Sequence, residues 1–143
     1  MTLLIDAGPL VALADLGDPA FPHVDRLLRT TPGPLVIPAP VTAEVDYLLG
    51  RRLGRGPRRS FISDLAAGRF IVACLERDEY AAIGDLDARY TDLDLGLADC
   101  SLVVLARRFD TTRILSFDER HFRALRPLQG GAFTILPADE RAT

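Results

Sequence analysis

Two acidic residues of this sequence lie at or just beyond the ends of short segments that we expect to form strands. Asp6 comes immediately after residues 2–5, and Asp118 lies two residues beyond the segment 112–116. A continuous apolar run of four or five residues is typical of a buried strand in a parallel sheet. Because ligands of such sheets bind at the carboxyl ends of the strands, both side chains are candidates for a binding site at that edge.

Two further acids are expected on helices. Glu44 lies three residues after Val41 and four before Leu48, so it shares their helical face, which we expect to point toward the core. Asp99 heads a row that continues with apolar residues at positions 103 and 106. An unpaired charge on such a face costs several kcal/mol, roughly, unless something compensates it.

We expect these four carboxylates to converge in one crevice. Together they would repel one another and raise each other's pKa unless a cation neutralised them. Hard oxygen ligands select Mg²⁺ or Mn²⁺, and such a site suits hydrolysis of phosphodiester bonds.

Each acid also has a purely structural alternative. Asp6 fits the N-cap of a following helix, and Asp99 would compensate a helix dipole. Asp118 could cap a short turn through residues 120–122. Glu44 could pair with an arginine, whereas Asp46, on the far side of the same helix, is expected to be solvated.

The elements that must position these acids alternate along the chain. The sequence predicts five short strands near residues 2–5, 35–37, 70–74, 112–116 and 133–136, and helices near residues 9–16, 18–30, 38–52, 58–67, 76–90 and 97–109. This alternation predicts an α/β fold in three layers, with a mostly parallel central sheet of four to five strands and helices on both faces. We expect one domain over residues 1–137 and a flexible C-terminal tail over residues 138–143.

Composition excludes several classes of function. The chain has 143 residues, and all 17 basic residues are arginine, so lysine-dependent P-loop and Schiff-base chemistry is absent. The net charge of −3 argues against a general nucleic-acid coating protein. Neither Cys74 nor Cys100 has zinc-ligand spacing, and both are expected to be buried free thiols. With no signal peptide and no apolar run of about 18 residues, we expect a cytoplasmic protein without a membrane partner.

Four segments together resemble the PIN-domain family, and within it the VapC toxins of toxin–antitoxin pairs. They are residues 4–10 (LIDAGPL), 41–48 (VTAEVDYL), 96–100 (GLADC) and 114–122 (ILSFDERHF). Each motif is weak alone, but the four in this order and spacing are fairly specific. Relatives often carry a hydroxyl residue just after the first aspartate, where Ala7 and Gly8 stand here, and often alanine where Cys100 stands.

The resemblance implies a Mg²⁺- or Mn²⁺-dependent endoribonuclease that cuts structured RNA, such as a tRNA or rRNA loop, and so inhibits translation. It also implies a homodimer and a cognate VapB-type antitoxin. Asp6 and Asp99 would be direct metal ligands, and Asp118 would bind directly or through water. Glu44 would ligate a metal or orient the attacking water. His121 could contact RNA, although a surface histidine without a role is the preferred interpretation.

Arginines near the predicted site could hold the RNA backbone, since guanidinium groups suit phosphate. Five lie within residues 51–59, a segment without an acid, and one follows Asp118; they are Arg51, Arg52, Arg55, Arg58, Arg59 and Arg120. A solvated helix corner and an antitoxin contact are the alternatives for the segment 51–59. Tyr47 and Phe122 could stack on bases, but core packing is expected for both.

The sequence leaves two rival functions to consider. A phosphatase with Asp6 as nucleophile would need an acid at position 8, which is glycine, and a lysine that the chain lacks. The other rival is a non-catalytic PIN-like module that binds RNA or protein. The presence of all four acids argues against it.

Overall fold

The computed structural model describes residues 1–140, in which strands and helices alternate. The strands are β1 (Leu3–Ile5), β2 (Leu35–Pro38), β3 (Ile71–Ala73), β4 (Arg113–Leu115) and β5 (Thr134–Leu136). The helices are α1 (Ala7–Leu13), α2 (Phe21–Thr30), α3 (Ala39–Arg52), α4 (Arg55–Ala66), α5 (Arg77–Arg89), α6 (Leu97–Arg108) and α7 (Glu119–Ala124), with a 3₁₀ turn at Thr91–Leu93.

The five strands form one parallel sheet in the order β3-β2-β1-β4-β5. In the centre, Leu4 of β1 is in register with Val36 on one side and Ile114 on the other. All strands therefore end at the same edge of the sheet. This confirms the predicted α/β architecture and brings the segments after β1 and β4 together.

Helices cover both faces of the sheet, as predicted. Because side chains alternate along a strand, Leu3 and Ile5 of β1 face one core and Leu4 faces the other. The first core is completed by α1, α2, α3 and α4, and the second by α5, α6 and α7. Helix α6 is buried along most of its length, from Cys100 to Ala106. The acid in its first turn is therefore held on a rigid element.

Several local predictions were wrong. Strand β3 lies at the edge of the sheet, so its residues Ile71 and Val72 are exposed, although the apolar run had predicted a buried strand. Cys74, just beyond it, is also exposed, whereas Cys100 is buried as expected. Tyr47 is 63% exposed rather than part of the core. Phe122 is buried and packs edge-on against an aromatic ring near β5, as predicted.

The start of the predicted flexible tail is attached to the domain. The carboxylate of Asp139 accepts a hydrogen bond of 2.7 Å from the Ile135 backbone and pairs with Arg123. Glu140 makes two hydrogen bonds to Arg26, at 2.7 and 2.8 Å. Residues 138–140 therefore extend the folded part of the chain. The remainder of the predicted tail, residues 141–143, lies outside the described residues.

One largely buried ion pair joins α5 to α6. Glu79 accepts hydrogen bonds from the guanidinium of Arg108, which also donates to the Cys74 carbonyl at 2.7 Å. Burial opposes ionisation of Glu79, but the bonds from Arg108 and from the backbone of Glu76 give it a lowered pKa overall. The pair fixes these two helices against each other.

Within residues 1–140, none of the helices combines the length and the apolar character needed to cross a bilayer.

Candidate metal centre

Asp6 stands at the junction between β1 and α1. Its Oδ1 accepts the Ala7 N–H at 2.8 Å, which makes it the N-cap of α1, and its Oδ2 accepts the Ser116 hydroxyl at 2.7 Å. Burial raises the pKa of Asp6; the two hydrogen bonds oppose this, and the charges of Asp99 and Asp118 add to it. The side chain of Asp6 therefore does both things that the sequence suggested: it caps α1 and it lies beside the other acids.

Glu44 lies on α3, but not on the face that the sequence predicted. The core-facing residues of this helix are Val41, Val45 and Leu49, whereas Glu44 is exposed and shares a cleft with Leu48 one turn later. Partial burial first, and then the negative charges of Asp6 and Asp99, raise the pKa of Glu44. The predicted acid is thus at the cleft because it points away from the core.

Asp46, expected to be a solvated acid, pairs instead with an arginine of the next helix. Its Oδ1 lies 2.6 Å from Nε of Arg58. This contact joins α3 to α4 and withdraws Asp46 from the cleft.

Asp99 occupies the first turn of α6. Its Oδ2 accepts the Gly96 N–H at 3.2 Å, and the helix dipole favours an anion there. Burial raises the pKa of Asp99; the Gly96 bond and nearby His121 lower it, and Asp118 raises it further. The predicted dipole compensation is present, together with proximity to the other acids.

Asp118 is the N-cap of α7, a short helix that the sequence had predicted only as a turn. Its Oδ1 accepts the His121 N–H at 3.1 Å, and its own N–H donates to the Ser116 hydroxyl at 3.0 Å. One carboxylate oxygen thus holds the helix end. The other, Oδ2, lies 2.7 Å from Nδ1 of His121.

The structure brings all four predicted acids to one cleft of about 510 Å³ at the carboxyl edge of the sheet. Its lining consists of Asp6, Ala7, Gly8, Glu44, Leu48, Arg52, Asp99, Phe117 and Asp118. The raised pKa values of Asp6, Glu44 and Asp99 have partly the same cause, which is the charge of neighbouring members of this set. This mutual repulsion is what a bound cation would relieve.

Two residues of the site were missed by the sequence reasoning. Ser116 is buried just past the end of β4, and its hydroxyl bridges Asp6 to the backbone of Asp118. It supplies the hydroxyl that Ala7 and Gly8 lack. Its position at a strand end, two residues before an acid, was the available signal.

His121 is the second missed residue. Its Nδ1 lies 2.7 Å from Oδ2 of Asp118 and 3.6 Å from Oδ2 of Asp99, and its side chain is only 17% exposed. The preferred interpretation of a surface histidine without a role was therefore wrong about its surroundings. The spacing of three residues from Asp118, which places both on one helical face, was the available signal.

The predicted RNA-binding arginines are only partly at the cleft. Arg52, at the end of α3, lines it. Arg51 is an exposed neighbour, and Arg58 is engaged with Asp46. Arg55 and Arg59 are exposed in the first half of α4, and Arg120 is exposed on α7. These guanidinium groups can serve as a basic margin around the acidic centre, with Arg52 nearest to it.

The donor set fits a hard divalent cation. Carboxylate oxygens are the ligands that Mg²⁺ and Mn²⁺ prefer. One oxygen or nitrogen from each of Asp99, Asp118 and His121 lies within 4.8 Å of the others, close enough to share one ion. Asp6 and Glu44 extend the set around the same cleft.

Comparisons with known proteins agree with this geometry. Residues 3–126 match the PIN domain family, a span that contains all four acids. The chain is 36% identical over 135 residues to Ribonuclease VapC26 of Mycobacterium tuberculosis, covering 94% of this chain and 100% of that protein.

Two solved structures share the fold. The crystal structure of M. tuberculosis VapC20, described as a sarcin–ricin loop cleaving toxin, superposes with a TM-score of 0.75 at 19% identity, over 82% of this chain and 90% of that one. VapBC2 of Rickettsia felis, bound to a DNA fragment from its promoter, gives a TM-score of 0.65 at 13% identity, over 94% of this chain and 97% of that one. At these identities the two structures establish the architecture alone.

Proposed function

The chain belongs to the PIN-domain family, and from this premise we propose that it is a Mg²⁺- or Mn²⁺-dependent endoribonuclease of the VapC toxin type. The observation that carries the proposal is the convergence of Asp6, Glu44, Asp99 and Asp118 on one cleft. The relative of 36% identity is itself a ribonuclease by name, which supports the same reaction class. The match to this relative over 94% of the chain supports the proposed single PIN domain over residues 1–137.

The roles of the four acids follow from their surroundings. The carboxylates of Asp6 and Asp99 are each oriented by a backbone N–H, at 2.8 and 3.2 Å, and we assign them as direct metal ligands. Asp118 keeps Oδ2 available and binds the ion directly or through water. Glu44 is the most exposed of the four, which suits ligation or orientation of the attacking water at the open side of the cleft.

A divalent cation in this cleft would lower the pKa of a bound water and neutralise charge on the scissile phosphate. The protein's own part is to hold the carboxylates ionised and correctly oriented. Ser116 favours the ionised form of Asp6 by donating to its carboxylate, and the same hydroxyl positions Asp118 by accepting that residue's backbone N–H.

Arg52 is the arginine best placed to hold the RNA backbone, since it lines the cleft. We propose a wider phosphate contact through Arg51, Arg55, Arg59 and Arg120, all exposed, with Arg58 contributing if it leaves Asp46. A structured loop of tRNA or rRNA is the proposed substrate. The sarcin–ricin loop named for VapC20 belongs to the same class of RNA.

The proposed partners are a VapB-type antitoxin that blocks the site and a second copy of the chain in a homodimer. The toxin–antitoxin pair VapBC2, which shares the fold, supports the first. We propose action in the cytoplasm, where tRNA and ribosomes are available, with inhibition of translation as the outcome.

The proposal is tested by incubating purified protein with tRNA and ribosomal RNA in Mg²⁺ or Mn²⁺, and mapping the new 5′ ends. Asp6→Asn and Asp99→Asn should abolish cleavage while circular dichroism shows retained folding. Asp87→Asn, an exposed acid of α5, is the matched control and should cleave normally. Full activity in EDTA, or undiminished cleavage by both site variants, would refute the assignment.

A further inference from the structure

Among the described residues near the acidic cleft, His121 is the one whose side-chain nitrogen could ligate a metal ion. It lies on α7 one turn after Asp118, and the backbone bonds that cap α7 fix the start of this turn. Its Nδ1 is fully buried and has no hydrogen-bond partner of acceptable geometry, although Oδ2 of Asp118 is only 2.7 Å away. A buried nitrogen in this state requires an explanation.

An imidazolium would be attracted to both neighbouring carboxylates, but neither protonation state of the imidazole gives Nδ1 a well-aligned hydrogen bond. If Nδ1 carries the proton, its N–H is not directed at the carboxylate oxygen beside it. If Nδ1 is unprotonated, its lone pair faces Oδ2 of Asp118 at 2.7 Å and Oδ2 of Asp99 at 3.6 Å, and all three atoms are electron-rich. A cation between them would satisfy all three atoms at once.

The separations of these atoms also suit one coordination sphere. Ligands at about 2.1 Å from an octahedral ion stand roughly 3 Å apart when adjacent. The two distances from Nδ1 lie on either side of that value, and the three residues form a compact group within 4.8 Å. Asp118 can contribute Oδ2 without losing its cap, because Oδ1 is the atom that holds α7.

We propose that Nδ1 of His121 is a direct metal ligand, together with Asp99 and Asp118, and that it shifts the preference of the centre from Mg²⁺ toward Mn²⁺ and Co²⁺. This rests on the proposed function, since it concerns the ion of the same site. Mg²⁺ takes oxygen ligands almost exclusively, whereas imidazole binds transition-metal ions well. The nitrogen therefore adds affinity mainly for the transition metals.

The chain offers a clean test because it has only two histidines, His23 and His121. Untagged protein loaded with Mn²⁺ is examined by electron spin echo envelope modulation, which detects a directly bound imidazole nitrogen. We expect ¹⁴N modulation in the wild type and in His23→Gln, and its loss in His121→Gln. Calorimetric titration of His121→Gln should show Mn²⁺ affinity lowered about tenfold or more and Mg²⁺ affinity changed less than about threefold.

The possible failures are distinguishable. If the wild type binds Mn²⁺ without ¹⁴N modulation, the ligand assignment is overturned and the proposed function stands. A loss of Mn²⁺ affinity in His121→Gln under that outcome would mean that His121 only positions Asp118. Modulation that persists in folded His121→Gln overturns it as well. Absence of any Mn²⁺ or Mg²⁺ binding overturns both this inference and the proposed function.

Discussion

Removal of the Ser116 hydroxyl should weaken the metal centre without touching a carboxylate. The hydroxyl donates to Oδ2 of Asp6 at 2.7 Å and accepts the Asp118 N–H at 3.0 Å, and the residue is 1% exposed. In Ser116→Ala both partners lose a buried bond. A bond to a charged group contributes about 1.5–3 kcal/mol, and an unsatisfied buried N–H costs about 1–3 kcal/mol.

We therefore expect the metal-free variant to be about 2.5–4 kcal/mol less stable than the wild type, taking the lower half of the summed range because the site relaxes. For a domain of this size that is a fall in Tm of roughly 10 °C. Mn²⁺ affinity should fall about tenfold, the lower end for loss of a group that orients a metal ligand. Differential scanning calorimetry and calorimetric titration measure the two quantities.

The pH dependence gives a second readout of the same substitution. The Ser116 bond lowers the pKa of Asp6 against the raising effect of burial, so its loss should raise that pKa further. Protons and the cation compete for the carboxylate. Affinity for Mn²⁺ is lost as pH falls through the pKa of Asp6, so in Ser116→Ala this loss should begin at higher pH than in the wild type.

Ser101→Ala is the matched control. Ser101 is equally buried, at 0% exposed, but its hydroxyl donates to the Ala98 carbonyl within α6 and contacts none of the four acids. It should keep wild-type Mn²⁺ affinity and acid profile. Unchanged affinity in Ser116→Ala, or an equal loss in Ser101→Ala, would refute the reasoning.

Two further predictions concern other parts of the molecule. Arg52→Ala should weaken binding to structured RNA and reduce the slope of log K against log salt concentration by about one unit. Arg113→Ala, at the opposite edge of the sheet, should change neither the affinity nor the slope. Fluorescence anisotropy at several salt concentrations measures both variants, and equal slopes would count against a phosphate contact of Arg52. Arg108→Met should cost about 2–3 kcal/mol of unfolding free energy, less than for a wholly buried pair because Arg108 is 33% exposed, with Mn²⁺ affinity unchanged. The pKa of Glu79 is lower in the folded state than in the unfolded state. The loss of unfolding free energy in Arg108→Met should therefore be complete at pH values above the unfolded pKa of Glu79, and it should shrink as pH falls through the folded pKa. Urea unfolding at several pH values measures this dependence.

The sheet and its helices could be predicted because the spacing of apolar residues along the sequence reflects which side chains are buried. Short segments with adjacent apolar residues predicted all five strands, and the acid after β1 was correctly placed at the carboxyl edge. The strand order carries no such local signal. The exposure of Ile71 and Val72 follows from the edge position of β3, so an apolar run alone could not reveal it.

The site was predictable to the extent that its residues break a local pattern. An acid in an apolar row marked Asp99, and an acid after a strand marked Asp6 and Asp118. Glu44 was predicted to share the core-facing side of α3, which the structure contradicts. Apolar residues lie on the cleft-facing side of this helix as well as on its core-facing side, so an apolar neighbour such as Leu48 does not identify the core face. Ser116 and His121 carry only a weak signal, their spacing from Asp118, and their contacts become evident only from their three-dimensional neighbours.

The central claim is that carboxylates from four separate segments share a divalent cation. Crystals grown with Mn²⁺ and measured at the manganese absorption edge test it directly, because the anomalous difference map locates the ion without reference to activity. We expect a peak in the cleft, within about 2.2 Å of carboxylate oxygens of Asp6 and Asp99. A fully occupied peak elsewhere on the molecule, with no peak among the four acids, would contradict it.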